Sequence, residues 1–281
     1  MKTALIKFGG EIARETQKLI AALRDVADLS RAAEPWRFVI CHGGGPQANA
    51  LSERLGLKTI KVGGRRVTDE ATLQVMKQAL AGEVSVDVVA AAVAAGLSAV
   101  GISSVSGSLV TAVRRPPKVV SGAGDQPIDF GFVGDIVDVR PDLIEHLWRG
   151  GYTPVINSLG IAAPSNDRTQ PCAVYNINAD TVACALAAAL KVDHLFLMTD
   201  VCGVLADRHD PNSRFRTLTR SKALAAIEDG TIQGGMIPKV EDALTQLSAG
   251  VKRVHIVGAG AGIIAAEAAQ PGSLGTVLIE D

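Results

Sequence analysis

Short β-branched runs and longer stretches of helical pattern take turns along the whole of this 281-residue chain. The runs are TALIKF, WRFVICH, LSAVGISS, YTPVINSLG, DHLFLMT and KRVHIVG, and each is separated from the next by a segment able to form a helix. Such alternation predicts an α/β fold with a mainly parallel sheet covered on both faces. Between Gly101 and Asp138 the pattern changes to glycine, proline, serine and short extended pieces, including GFVGDIVDV, which predicts hairpins near the middle of the fold. No fixed-period repeat and no Pro/Ser-rich linker divides the chain. One bilobal domain is expected, with a soft boundary near Asn176 that gives lobes of residues 1–175 and 176–281 sharing one sheet.

Composition narrows the function classes. The 47% hydrophobic content suffices for a large core. Lys plus Arg (28) nearly cancel Asp plus Glu (29), so no overall basic field gathers nucleic acid or an anionic membrane. Any anionic ligand must be held by local charge. The apolar tract VVAAAVAAGLSAVGI is shorter than a bilayer span and contains glycines. Cys41, Cys172, Cys184 and Cys202 form no C-x-x-C pair and no secretory leader precedes them, so they read as reduced packing residues of a cytoplasmic protein.

In open parallel sheets ligands collect at the carboxyl ends of strands, so the residues just beyond each run carry the chemical argument. The first run ends in KFGGE, with Lys7 ahead of Gly9 and Gly10, where bare backbone can approach an anion. The second ends in HGGGPQ. Gly43, Gly44 and Gly45 have no Cβ to obstruct an oxyanion, and a helix starting near Pro46 aims its free N–H groups at the same spot. His42 reads as a structural hydrogen-bonding residue. In VGGRRVTDE, Arg65 and Arg66 precede Thr68, a candidate cap for a helix beginning around Asp69, and an arginine there suits a two-bond grip on a carboxylate. Asn176, Asn178 and Asp180 stand at the entrance of an Ala/Leu-rich helix, more polar groups than one cap requires. LFLMTDVCGVL puts Thr199, Asp200 and Gly203 after a strand, where an adenosine could rest. TIQGGMIPKVEDAL puts Gly234, Gly235 and Lys239 at another helix start.

Two lysines, three glycine-rich turns, one arginine and one Asn/Asp cluster describe phosphoryl transfer. The chain has no G-x-x-x-x-G-K-[ST] loop, no H-R-D or D-F-G set, no G-x-S-x-G nucleophile and no metal-ligand His/Cys spacing.

KFGG, HGGGPQ, RVTD, GFVGDI, PVINSLG, NINAD, TDVCGVL, GGMIPKVEDAL and GTVLI occur in this order across essentially the whole chain. The set resembles the amino acid kinase family, and within it the branch that phosphorylates N-acetylglutamate. The resemblance implies a three-layer α/β/α sandwich with the acyl substrate and the dimer contact in the N-terminal lobe and ATP in the C-terminal lobe. It implies that Lys7 and Lys239 stabilise the transferring phosphoryl group and that Asp180 orients both. Gly44, Gly45, Arg66 and Asn176 would hold N-acetyl-L-glutamate. The nucleotide would meet Gly9, Gly10, Gly43, Thr199, Asp200, Val201, Gly203, Val204, Leu205, Thr231, Gln233 and Gly235, with Mg²⁺ held mainly by its phosphates and no dedicated protein metal site.

Two places depart from the family pattern. SSVSGSLV, with Ser104, Val105 and Ser106, stands where relatives carry an acidic Gly-Lys-Asp-Gly-type turn, and VGAGAGI replaces the usual Asp-Gly after a late strand. Neighbouring readings are a carrier-linked aminoadipate kinase of lysine biosynthesis and a non-catalytic nucleotide-binding relative. A dinucleotide module is a further alternative, since Gly260, Gly262 and Ala265 spell G-x-G-x-x-A and Glu280 follows. The short stretch before Ile6 and Lys7 leads to the expectation of a homodimer, built from helices around GGRRVTDEATLQVMKQAL, that is insensitive to arginine.

Overall fold

The computed structural model describes the chain except for Gly64, residues 120–125 and 165–172, Asp200, Arg208, Gly234 and Gly235. The expectations for Asp200, Gly234, Gly235 and Cys172 therefore lie outside the described residues. Eight strands form the central sheet in the order Thr217–Thr219, Thr276–Ile279, Arg253–Gly258, His194–Thr199, Lys2–Phe8, Trp36–His42, Thr153–Asn157 and Ala99–Ser103. All six runs singled out in the sequence are in it. Every pairing is parallel except that of Thr276–Ile279 with Arg253–Gly258.

The alternation of side chains along each strand divides the core into two layers. Ile6, Phe8, Phe38 and Ile40 face helices Thr16–Ser30, Ser85–Ala94 and Ile263–Ala269 through Leu19, Leu23, Val88 and Ile264. Leu5, Val39 and Cys41 face Val182, Leu186, Val240 and Leu244 on helices Ala179–Ala189 and Met236–Ser248. Each of these large side chains is fully or almost fully buried and contributes about 2 kcal/mol of transfer free energy. The result is the expected three-layer sandwich.

The expected hairpins are present as a second, four-stranded sheet ordered Val174–Asn176, Leu159–Ala162, Val110–Arg114 and Gly134–Val139. A two-stranded hairpin, Lys61–Val62 against Arg65–Arg66, pairs Lys61 with Arg66 and Val62 with Arg65, so opposite faces carry the two pairs. Val62 turns to Phe130 and Val133 in a small satellite core. The helix after it runs Glu70–Lys77, passes through a π-helical stretch, Gln78–Val84, and continues as Ser85–Ala94. Its cap is Asp69, whose carboxylate accepts from Thr72 N at 2.8 Å, and not Thr68 as expected. Thr68 is instead buried and accepts from Asn176 Nδ2 at 3.1 Å.

Candidate active site

Lys7 shares the strand face of Leu5, so its side chain leaves the sheet on the side of helix Ala179–Ala189. That helix is capped by Asn178, whose side chain accepts from Asp180 N at 3.2 Å and so fixes Asp180 in the first turn. Lys7 Nζ lies 2.7 Å from Asp180 Oδ1. Lys239, in the first turns of helix Met236–Ser248, donates to Thr199 Oγ1 at 2.8 Å. Thr199 ends the strand paired in parallel with Lys2–Phe8, so register alone brings both lysines to one place. They line a cavity of about 60 Å³ with Asp180, Thr199, Cys184 and Asp242. Asp180 is paired with Lys7, and Lys239 is bonded to Thr199.

Asp242 was not singled out in the sequence. It follows Lys239 by three residues on one helix and therefore shares its face, which is the signal that could have found it. Burial raises its carboxyl above the usual range, and repulsion from Asp180 and Glu241 adds to the effect. The thiols of Cys41 and Cys184 are buried, and burial pushes Cys41 up to about 12 and Cys184 higher still. These two are packing residues. Cys202 is exposed and lines the neighbouring cleft, against the expectation that it packs in the core.

The three glycines after Trp36–His42 have three different reasons to be glycine. A Cβ on Gly43 would stand 3.2 Å from Ala179 Cβ, and one on Gly44 would stand 3.0 Å from Leu80 Cδ1 and 3.1 Å from Val84 Cγ2, both in the π-helical stretch. At Gly45 a Cβ would meet nothing within 4 Å. Gly45 is the first residue of helix Gly45–Arg54 and faces the open cleft. Gly10 is glycine because the turn of Pro46 presses on it: a Cβ there would lie 2.5 Å from Pro46 Cδ. Gln47 Nε2 ties the two turns together by donating to Gly10 O at 3.0 Å. His42 is fully buried, donates from Nδ1 to Gly43 O at 3.0 Å, and is depressed by burial to about 4 against the opposing effect of that bond. It is a neutral structural residue at pH 7.

Around these turns lies a cleft of about 620 Å³ whose lining includes Lys7, Gly9, Gly10, Gly45, Asn49 and Thr199. Lys61 lines it too and was missed in the sequence; it is the cross-strand partner of Arg66. Arg66 is half-buried and donates through Nη2 to Gly45 O at 3.2 Å and Asn49 Oδ1 at 2.6 Å, and through Nη1 to Thr59 Oγ1 at 3.4 Å. Its guanidinium thus lies at the glycine cradle with contacts it must exchange to grip a carboxylate. Asn176 spends its amide on Thr68.

A third hollow, of about 640 Å³, is lined by Val201, Gly203, Leu205 and Ala206 from one side and Thr231, Ile232, Gln233 and Met236 from the other. Of the twelve residues expected at the nucleotide it gathers Val201, Gly203, Leu205, Thr231 and Gln233, while Gly9, Gly10 and Thr199 line the neighbouring cleft, Gly43 lies against Ala179, Val204 is fully buried in the core, and Asp200 and Gly235 lie outside the described residues. The G-x-G-x-x-A segment is closed to a pyrophosphate. The Asp25 carboxylate already accepts from the backbone N–H of Gly262 (3.0 Å), Ile264 (3.0 Å) and Ala265 (3.3 Å) at the start of helix Ile263–Ala269. Glu280 is paired with Arg220 at 2.8 Å. These contacts remove the dinucleotide alternative. The SSVSG turn is tied to the adjacent strand Thr153–Asn157, with Ser103 Oγ donating to Asn157 Oδ1 at 3.0 Å and Ser104 Oγ to Asn157 O at 2.5 Å.

Comparison with known proteins agrees with this geometry. The model of the amino acid kinase family matches residues 2–258. Acetylglutamate kinase of Sorangium cellulosum (strain So ce56) is 47% identical over 276 residues, covering 98% of this chain and 94% of that protein. Acetylglutamate kinase of Anaeromyxobacter dehalogenans (strain 2CP-C) is 46% identical over 280 residues, covering 99% and 100%. Among solved structures, carbamate kinase from Giardia lamblia bound to AMP-PNP superposes with a TM-score of 0.70 at 19% identity, covering 100% of this chain and 99% of that one, a likeness of fold.

Proposed function

The chain belongs to the amino acid kinase family, and from that premise we propose that it transfers the γ-phosphoryl group of ATP to the γ-carboxylate of N-acetyl-L-glutamate. The products are N-acetyl-L-glutamyl 5-phosphate and ADP, and the step belongs to arginine biosynthesis. The observation that carries the reading is the convergence of Lys7 and Lys239 on one cavity, which shares Lys7 and Thr199 with the cleft of the glycine turns.

The chemistry asks little of the protein in proton transfer. A γ-carboxylate has a reference pKa of about 4.3 and is ionised at neutral pH, so no general base is needed. The obstacle is bringing one anion up to another. Lys7 and Lys239 face the site of transfer, and Asp180 fixes the first by its ion pair. Arg66, Gly44 and Gly45 of the N-terminal lobe, residues 1–175, serve the acyl substrate, together with Asn176 at the boundary of the two lobes. The C-terminal lobe, residues 176–281, serves the nucleotide. Among the described residues no group of three or more His, Cys, Asp or Glu is placed to hold a metal ion. Mg²⁺ carried on the nucleotide phosphates would supply further neutralising charge, a role that fits its preference for phosphate and water ligands.

A cytoplasmic homodimer completes the proposal. Among the described residues no helix is long and apolar enough to cross a membrane. Val86 and Val93, seven residues apart on helix Ser85–Ala94, are 64% and 56% exposed, and the edge strand Ala99–Ser103 packs against that helix. A second copy would bury this apolar face isologously. The test of the activity is a hydroxylamine trap: ATP, Mg²⁺ and N-acetyl-L-glutamate should give a hydroxamate, and none above background from folded protein would overturn the reading.

A further inference from the structure

The hollow assigned to the nucleotide is bounded on one side by a short hairpin with arms 203–206 and 213–215, whose tip is tied by Ser213 Oγ to Asp207. Ala206 N donates to Ser213 O at 3.0 Å and Phe215 N to Val204 O at 2.9 Å. The hairpin gains its position from a neighbouring loop, residues 272–276. The Thr276 hydroxyl accepts from Val204 N at 2.9 Å and donates to Phe215 O at 2.6 Å, joining both arms through one oxygen. The fit is close, because Gly203 has φ 141° and a Cβ there would stand 2.7 Å from that oxygen. The Arg214 guanidinium donates to the carbonyls of Gly272 (3.3 Å), Ser273 (2.9 Å) and Gly275.

The other side of the same loop rests on a single buried carboxylate. Glu267 is fully buried and accepts from the backbone N–H groups of Gly272 (2.8 Å), Leu274 (2.7 Å) and Gly275 (2.7 Å), from Ser273 Oγ at 3.4 Å, and from His255 Nδ1 at 2.8 Å. His255 Nε2 in turn meets His194 Nδ1 at 2.9 Å. The loop's peptide groups thus point their N–H ends at an anion and their carbonyl ends at a cation. Such an arrangement is rigid when complete, and it leaves several buried donors unpaired when the acceptor is removed. None of these hydrogen-bond partners of Glu267 lines the nucleotide hollow, and nothing in the proposed phosphoryl transfer uses it.

We propose that Glu267 is a positioning residue for the nucleotide: through the 272–276 segment, Thr276 and Arg214 it holds the hairpin arms 203–206 and 213–215 in the shape that receives the adenosine. This rests on the assignment of that hollow to ATP. An unsupported hairpin has to be ordered by the ligand itself, so the loss shows in nucleotide affinity and not in the acyl-substrate site, which lies in the other lobe.

The experiment is direct titration of the full chain with ADP and with a non-hydrolysable ATP analogue, alongside steady-state kinetics, for wild type, Glu267→Gln and Thr276→Val. Gln keeps the shape but replaces an acceptor oxygen with an NH₂ group that confronts the loop's donors. Val keeps the shape of Thr and removes only the joining hydroxyl. Both should weaken nucleotide binding, by about tenfold for Glu267→Gln, as expected when hydrogen bonds to a charged group are lost. The KM for N-acetyl-L-glutamate should stay within about twofold, while Glu267→Asp, which retains the charge, should recover part of the affinity. A folded Thr276→Val protein with wild-type nucleotide affinity would overturn the inference even if Glu267→Gln fails to fold. So would equal losses for both substrates. Wild type that binds no adenine nucleotide would instead overturn the functional assignment, and this inference with it.

Discussion

Replacing Gly10 by alanine tests the cradle with a magnitude taken from the structure. The added methyl carbon would stand 2.5 Å from Pro46 Cδ, 3.1 Å from Gly45 N and 3.1 Å from Gln47 Oε1. Ordinary carbon contacts begin near 3.5 Å, so the turn after Lys2–Phe8 and the turn after Trp36–His42 must part by about 1 Å. Gln47 Oε1 ends a flexible side chain and can swing aside, but the other two neighbours cannot: Pro46 is a ring in the first turn of a helix, and Gly45 N is backbone. The parting carries Gly45 away from Lys7, and a misplacement of about 1 Å between reacting groups costs roughly 100-fold in rate. Overpacking of this kind also costs about 1–3 kcal/mol of stability. Gly45→Ala is the matched comparison, because its methyl meets nothing within 4 Å. That variant should be at least as stable as wild type, since alanine is the better helix residue by about 1 kcal/mol, yet its methyl projects into the cleft and should raise the KM for the acyl substrate. The assay is hydroxamate formation against both substrates, with a thermal melt of each protein. Gly10→Ala with wild-type kcat and melting temperature would refute the close approach of the two turns, and Gly45→Ala with unchanged KM would refute the placement of the acyl substrate there.

Four further outcomes follow from the same geometry. Lys239→Ala should lower kcat by several orders of magnitude and ATP affinity far less, because its charge is needed most as the phosphoryl group moves; parallel losses in a nucleotide titration would count against this. Arg66→Lys should raise the KM for N-acetyl-L-glutamate at nearly constant kcat, since an ammonium cannot reproduce the planar grip. His42 titrates at about 4 in the folded chain against about 6.5 unfolded, so the unfolded state takes up the proton first and stability falls as pH drops from 6.5 towards 4, by on the order of 3 kcal/mol in all. Urea unfolding at pH 7 and pH 5 should show a smaller loss for His42→Asn than for wild type. Val86→Glu with Val93→Glu should convert a dimer to monomer in light scattering.

The layered fold was legible because buried parallel strands are written as compact apolar runs, and six of the eight were found that way. The two that were missed as strands of the central sheet, Thr217–Thr219 and Thr276–Ile279, are three and four residues long, too short for a period to declare itself. Lys7, Asp180 and Lys239 were legible because strand ends and helix starts are marked by glycine and cap residues. What the sequence could not give was the division of tasks among similar residues. Gly43, Gly44 and Gly45 are identical letters with different neighbours, supplied by Ala179, by the π-helical stretch and by open space. Asp25 is more than 200 positions from the amides it caps, so nothing local distinguishes GAGAGI from a pyrophosphate loop.

Three cations of the site, Lys7, Lys239 and Arg66, are held by partners within the chain, and this bears on how the site can work. Lys7 has Asp180, Lys239 has Thr199, and Arg66 has Gly45 O, Asn49 and Thr59. A flexible lysine loses about 2 kcal/mol of side-chain freedom when it is fixed, and these contacts fix it before any ligand arrives. The partners differ in what they give up. Thr199 is neutral and leaves the full charge of Lys239 available to a phosphoryl group, whereas Asp180 partly offsets the charge of Lys7. Asp242, on the helix of Lys239, lines the same cavity, and its carboxyl is raised by burial and by Asp180. The site therefore combines one lysine held by a neutral hydroxyl and one paired with a carboxylate, so Lys7→Ala and Lys239→Ala should differ in effect even though both residues line the same cavity.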